Sequence, residues 1–246
     1  MLGRTSTSPP AIALIPLHDD NPTQITPYLT IGLIVACALV FFWQLSLGAA
    51  EERMIYALGM IPAVLFDIRQ LPPEISVVPP AATLFTSMFL HGGWMHLIGN
   101  LLYLWIFGNN IEEAMGRVRF IVFYLVCGVA AALAQALPDP TSVIPMIGAS
   151  GAISGVLGAY LLLYPHARVL VGIPFGFYIH TTMIKAGWVL GFWFVFQLIS
   201  SVLASGTGGG VAWGAHIGGF VAGMILVPLF KRRGVRLFQP ERHNVR

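Results

Sequence analysis

Charge is what this chain has least of. Of 246 residues only 9% are charged, against 57% hydrophobic, where a soluble domain carries about 25% charge. That deficit, with a mean hydropathy of +0.79, excludes an ordinary soluble enzyme and predicts a polytopic membrane protein. Cysteine is scarce too. Cys37 and Cys127 are the two in the chain, and both fall inside apolar runs. A disulfide scaffold is therefore not indicated, and buried packing is the expected role. The N-terminal thirty residues show neither a secretory signal nor an Arg-rich presequence, so the first span is expected to serve as its own uncleaved signal. A pI near 9.1 raises nucleic acid as a partner, but the basic residues sit at span ends and form no patch, so no nucleic-acid partner is expected.

Six apolar segments are present, at about 29–47, 95–111, 119–137, 150–164, 186–204 and 211–230. They are too long for barrel strands and lack period-two alternation, so each reads as a helix. The expected architecture is all-α, a six-helix membrane domain over 29–230. A cytoplasmic N-terminal tail, 1–28, and a basic cytoplasmic C-terminal tail, 231–246, flank it. An even span count puts both termini on one side. With that side inside, Arg4, Arg117, Arg119, Arg168, Lys185 and the six bases from Lys231 to Arg246 are cytoplasmic. Arg53 and Arg69 alone are external, eleven bases against two. This is a strong positive-inside bias. The tail is expected to meet anionic lipid of the bilayer.

The fourth segment is short. Fifteen residues rise about 22 Å against a hydrocarbon core of about 30 Å. The preceding "PDPTSVIPMIGA" must therefore dip into the bundle, and irregular backbone at that depth is tolerated only against protein or a wet cavity. No Asp, Glu, Lys or Arg occupies the middle of a span, which argues against an ion-coupled transporter or a channel.

The polar groups that remain converge on one side. Segments two, four and six all start externally. They bring His96 and Asn100, Ser150, and His216 to similar depth. His96 and Asn100 are spaced i, i+4 and share a helix face. Gly151, Gly155 and Gly158 on the fourth segment, with Gly219 and Gly223 on the sixth, predict two helices whose backbones nearly touch. That approach carries His216 toward the roughly 2.6–3.2 Å from Ser150 that a base and a nucleophile need. His91, His96 and His216 together offer three imidazoles, but no HExxH occurs and no acidic ligand is near, so no metal is expected. His91 lies ahead of its helix and is expected to order the loop. For a third catalytic member, Glu112 is about 24 Å from His96 along the helix, at the wrong end. Asp139, in the external loop, stays open. A Ser–His dyad is the better reading. The soluble-hydrolase elbow G-x-S-x-G is absent.

These residues resemble the rhomboid family of intramembrane serine proteases, over about residues 84–230. Gly148-Ala149-Ser150-Gly151 is similar to its serine motif. His216 with Gly219 and Gly223 is similar to its span-six motif, and His96 with Asn100 to its span-two motif. Gly108, Glu112 and Gly116 resemble a structural segment that follows. The resemblance implies a six-helix bundle with a short central fourth helix, Ser150 as nucleophile and His216 as base. It also implies an oxyanion site of His96, Asn100 and the Ser150 backbone N–H, transmembrane-protein substrates and no cofactor. An alternative is an inactive relative that binds membrane segments without cutting, though such proteins lack the serine or the histidine. A bacterial plasma membrane is the expected location. Two departures stand out. Ser154 occupies the position where some members carry an aromatic that stacks on the histidine. The first external loop also has no tryptophan, so it lacks the Trp–Arg pair of some members.

Overall fold

The computed structural model describes residues 15–175, 178–203 and 211–240. Arg4 and the tail beyond residue 240 lie outside the described residues. In chain order the elements are β1 (Ile15–Asp19), α1 (Tyr28–Ser46), α2 (Glu51–Leu58), α3 (Pro62–Leu65), α4 (Thr83–Thr86), α5 (Trp94–Met115) and α6 (Arg117–Ala136). Then follow α7 (Ser150–Leu163), β2 (Arg168–Phe175), β3 (Tyr178–Lys185), α8 (Ala186–Leu203) and α9 (Trp213–Phe230), with short 3-10 turns between some of them.

Helices occupy all six apolar segments. Four of them, α1, α6, α8 and α9, are long and apolar enough to cross a membrane. α7 has 14 residues. α5 has the length, 22 residues, but carries His96, Asn100, Asn109, Asn110, Glu112 and Glu113.

α7 is enclosed on all sides along most of its length. Every residue from Gly151 to Tyr160 is buried, so this helix is apolar or small all round, as a fully enclosed helix must be. Its glycines set its distance from α9. A Cβ on Gly219 would strike the Gly151 carbonyl, one on Gly223 the Gly155 carbonyl, and one on Gly158 the Phe220 carbonyl. Phe107, Tyr124, Tyr160 and Phe220 fill the remaining core. α8 is the opposite case. It buries only Ala186, Val189, Leu190 and Gln197 and exposes Trp188, Phe192, Phe196, Ile199 and Val202, an apolar exterior suited to lipid.

The all-α expectation is corrected at one place. Residues 168–185, with 15–19, form a three-stranded antiparallel sheet in the order β1-β2-β3. Arg168 pairs with Lys185 and Phe175 with Tyr178 across the hairpin. β1 pairs with β2 from Ile15–Gly172 to Asp19–Val169, with a bulge between Pro16 and His18. The hairpin is rich in Val, Ile, Thr and Tyr, which suit a pleated surface. Val169 and Val171 face the core at 0% exposure, so this sheet seals the end of α7 opposite Ser150.

The segment between α6 and α7 does turn inward. Met60 and Met146 exchange backbone hydrogen bonds at 3.1 and 2.8 Å, Ala63 donates to Ser142 at 2.9 Å, and Gly148 donates to Ser87 at 2.8 Å. The segment between α1 and α5 thus clamps the chain just ahead of Ser150 through backbone rather than through a tryptophan anchor.

Candidate active site

Ser150 is the first residue of α7, so its N–H belongs to the set at a helix start that has no partner within the helix. Gly148, two residues earlier, has φ +122°, and a Cβ there would meet the His96 ring at 2.6–2.7 Å. Only glycine lets the chain turn into α7 while the imidazole lies against it.

His216 comes from α9. The Gln135 side chain of α6 accepts from the Ala215 N–H at 3.2 Å, tying the start of α9 to its neighbour. The close α7–α9 contact then brings His216 Nε2 to 2.8 Å from Ser150 Oγ. That is within the range a general base requires. The other ring nitrogen, Nδ1, is 2.7 Å from Gln197 Oε1 of α8. Trp193, one turn earlier on α8, and Trp213 flank the imidazole at ring-centroid distances of 6.0 and 6.2 Å. The aromatic company missing from α7 is supplied by these two elements. Ser154 donates its hydroxyl to the Ser150 carbonyl at 2.7 Å, a bond within α7 that does not aim the ring.

α5 presents His96 and Asn100 to the same space. The Gly92 N–H donates to His96 Nδ1 at 3.3 Å. Accepting at Nδ1 leaves the neutral ring's proton on Nε2, the atom that lies against Gly148. His96 is therefore a donor facing the Ser150 segment. Asn100 is 7% exposed, and its Nδ2 has no hydrogen-bond partner among the described residues. A buried amide donor left without a partner costs roughly 1–3 kcal/mol, and this one lies at a cavity wall where a ligand or water can accept from it. His96, Asn100, Ser150, Trp193, Trp213 and His216 share the wall of one cavity of about 1440 Å³.

Asp139 also borders that cavity. Its Oδ1 accepts from the Thr141 N–H and hydroxyl at 3.2 and 2.8 Å, while Gln197 occupies Nδ1 of His216. His91 is fully buried. Its N–H donates to Gln44 Oε1 at 3.0 Å, and its Nδ1 is 3.1 Å from the Phe89 carbonyl, so it orders the turn into α5. No group of three His, Cys, Asp or Glu residues among the described residues is arranged to hold a metal.

Glu112 is fully buried at the far end of α5. Its carboxylate accepts from the Leu29 N–H at 3.1 Å, and from the Thr30 N–H and Thr30 hydroxyl at 2.8 Å each. Leu29 and Thr30 are in the first turn of α1, which lacks a side-chain cap of its own. Glu112 supplies that cap from another helix. The sequence missed Gln197. A glutamine in an apolar run signals a hydrogen bond to some other helix, but spacing along α8 does not name the partner.

A family model described as the Rhomboid domain matches residues 80–233. The chain is 29% identical over 197 residues to "Rhomboid protein 1, mitochondrial" of Saccharomyces cerevisiae, covering 71% of this chain and 52% of that one. It is 36% identical over 143 residues to "Rhomboid protease GluP" of Bacillus subtilis, covering 58% and 25%. It is 34% identical over 162 residues to "RHOMBOID-like protein 6, mitochondrial" of Arabidopsis thaliana, covering 56% and 52%. The chain thus spans about half the length of the yeast and plant relatives and about a quarter of GluP.

Proposed function

The chain belongs to the rhomboid family, and on that premise we propose that it is an intramembrane serine endopeptidase working through a Ser150–His216 dyad. The observation that carries this reading is the 2.8 Å approach of His216 Nε2 to Ser150 Oγ, made by side chains from separate helices at a shared cavity.

In the proposed reaction Ser150 Oγ attacks a peptide carbonyl while its proton passes to His216 Nε2. The negative charge that develops on the carbonyl oxygen meets three donors: His96 Nε2–H, Asn100 Nδ2–H and the Ser150 backbone N–H. The Asn100 amide, buried at the cavity wall with no partner among the described residues, supports this role. The C–N bond breaks as His216 returns the proton to the leaving amine, giving an acyl-enzyme. Water from the cavity then attacks the ester, with His216 again as base, and frees Ser150. The chemistry asks for no metal and no cofactor.

The substrates are transmembrane segments of other proteins. A helix hides its scissile carbonyls, so helix-breaking or small residues near the cut are expected. We assign six spans to α1, α5, α6, α7, α8 and α9, with both tails, 1–28 and 231–246, cytoplasmic and the cavity opening externally in a bacterial plasma membrane. The distribution of bases supports this orientation.

The test is cleavage of a model transmembrane substrate in detergent by wild type, Ser150→Ala and His216→Ala. Each variant is expected to lose about 10³-fold or more in turnover, and a fluorophosphonate is expected to label wild type but not Ser150→Ala. Turnover at the wild-type level in either variant removes the dyad. A wild type that neither cuts nor labels supports a binding protein of the same fold instead.

A further inference from the structure

A histidine that serves as base must keep its proton on the nitrogen facing away from the nucleophile. Here that nitrogen is Nδ1, and its neighbour is the Gln197 side chain at 2.7 Å. We infer that Gln197 is a positioning residue that fixes the tautomer and aim of His216, filling the place a carboxylate holds in a three-membered serine site. The inference rests on the serine-protease reading of the same site.

Three observations carry it. Gln197 is 4% exposed, on a helix that otherwise buries only Ala186, Val189 and Leu190. The polar residue of that inner face is thus the one meeting the imidazole. The amide also has one productive orientation. With Oε1 toward the ring, Nδ1 carries the proton and Nε2 keeps a lone pair for the Ser150 hydroxyl. With the amide nitrogen toward the ring, Nδ1 would have to accept, Nε2 would hold the proton, and the ring could not take one from serine. Finally, Trp193 lies one turn before Gln197 and is tilted 35° to the imidazole at 6.0 Å. The i, i+4 pair therefore limits both ring rotation and ring displacement. Ser154, spent on the Ser150 carbonyl, does neither.

A neutral amide accomplishes this without a buried charge. It stabilises the imidazolium formed during the reaction less than a carboxylate does, and that difference can be measured. The experiment compares wild type, Gln197→Leu and Gln197→Glu in detergent, reading kcat, KM and the pH dependence of kcat/KM on a model transmembrane substrate. Fluorophosphonate labelling runs in parallel.

Gln197→Leu is expected to lower kcat about 10-fold, the weight of one net hydrogen bond, with KM within about twofold of wild type. Its acidic limb moves to lower pH, because the charged ring loses an acceptor it holds more tightly than the neutral ring does. Gln197→Glu keeps the length of the side chain and is expected to restore most of kcat. Its acidic limb moves up by about one pH unit or more, because a carboxylate favours the imidazolium. Opposite movement of the two limbs is the signature of positioning. Gln197→Leu with wild-type kcat and limb overturns the inference. So does a loss of kcat in both variants with the limb unmoved, which is a packing defect. Wild type that cuts and labels separates these failures from failure of the serine-protease reading. Wild type that does neither overturns both.

Discussion

Asn100 and Gly148 bear on activity in different ways. Asn100→Ala removes a buried donor that has no partner at rest. Turnover is expected to fall about 10²–10³-fold, the usual effect of losing an oxyanion donor. The melting temperature should hold or rise, because deleting an unsatisfied buried group relieves a desolvation cost. Parallel kinetics and thermal melts of the variant check both halves, and turnover at the wild-type level would contradict the oxyanion role. Gly148→Ala is expected to cost stability as well as activity. Its φ of +122° and the His96 ring behind it make alanine strained by about 1–3 kcal/mol. Asp19 gives a pH dependence away from the site. Burial pushes its carboxyl up to about 6, only partly offset by the Tyr160 hydroxyl, which donates to it at 2.6 Å. Raised from 3.8, this group stabilises the fold fully below about pH 4 and loses that contribution as pH rises through about 6. Asp19→Asn should flatten the melting temperature between pH 4 and 7, measured by differential scanning fluorimetry.

Helices were legible in the sequence because each is a long apolar run that must satisfy its own backbone. α1, α6, α7, α8 and α9 fall within two residues of their expected bounds, while α5 runs four residues further at its C-terminal end. The sheet was not. β2 and β3 are apolar enough to read as an extension of neighbouring spans, and the partner that completes them, β1, is far away in sequence. Of the residues that line the shared cavity, Ser150, His216, His96 and Asn100 were expected together from spacing and sidedness. Gln197 depends on how α8 rotates about its axis, which its nearly uniform apolarity does not encode. The helix ends carry their own prediction. Glu112→Ala leaves the first turn of α1 without its acceptor, and a loss of about 2 kcal/mol is expected. Glu112→Asp should not restore it, because the shorter side chain cannot span the same gap. Urea melts of both variants followed by helical CD give the comparison. Gly223→Leu has no room at all against the Gly155 carbonyl. Separation of α7 and α9 should abolish fluorophosphonate labelling of Ser150.

At the scale of the molecule, orientation is the quantity most open to direct measurement. Cys37 and Cys127 are fully buried, so a cysteine introduced elsewhere reports its own position. Val77→Cys in the loop before α4 should react with a membrane-impermeant maleimide in intact cells. Arg236→Cys should react only after the membrane is opened, and the reverse pattern would invert the assigned topology.

The pairing of β1 with β2 also has a consequence in time. Asp20 accepts from the Arg168 N–H across 148 residues of chain. At about 5–20 residues per second, a ribosome needs roughly 7–30 s to make that stretch. Through that interval Ile15–Asp19 has no strand to join, and four of the assigned spans, α1, α5, α6 and α7, are already in synthesis or in lipid. Ile15–Asp19 is therefore made long before the strand it pairs with, and it finds its place late.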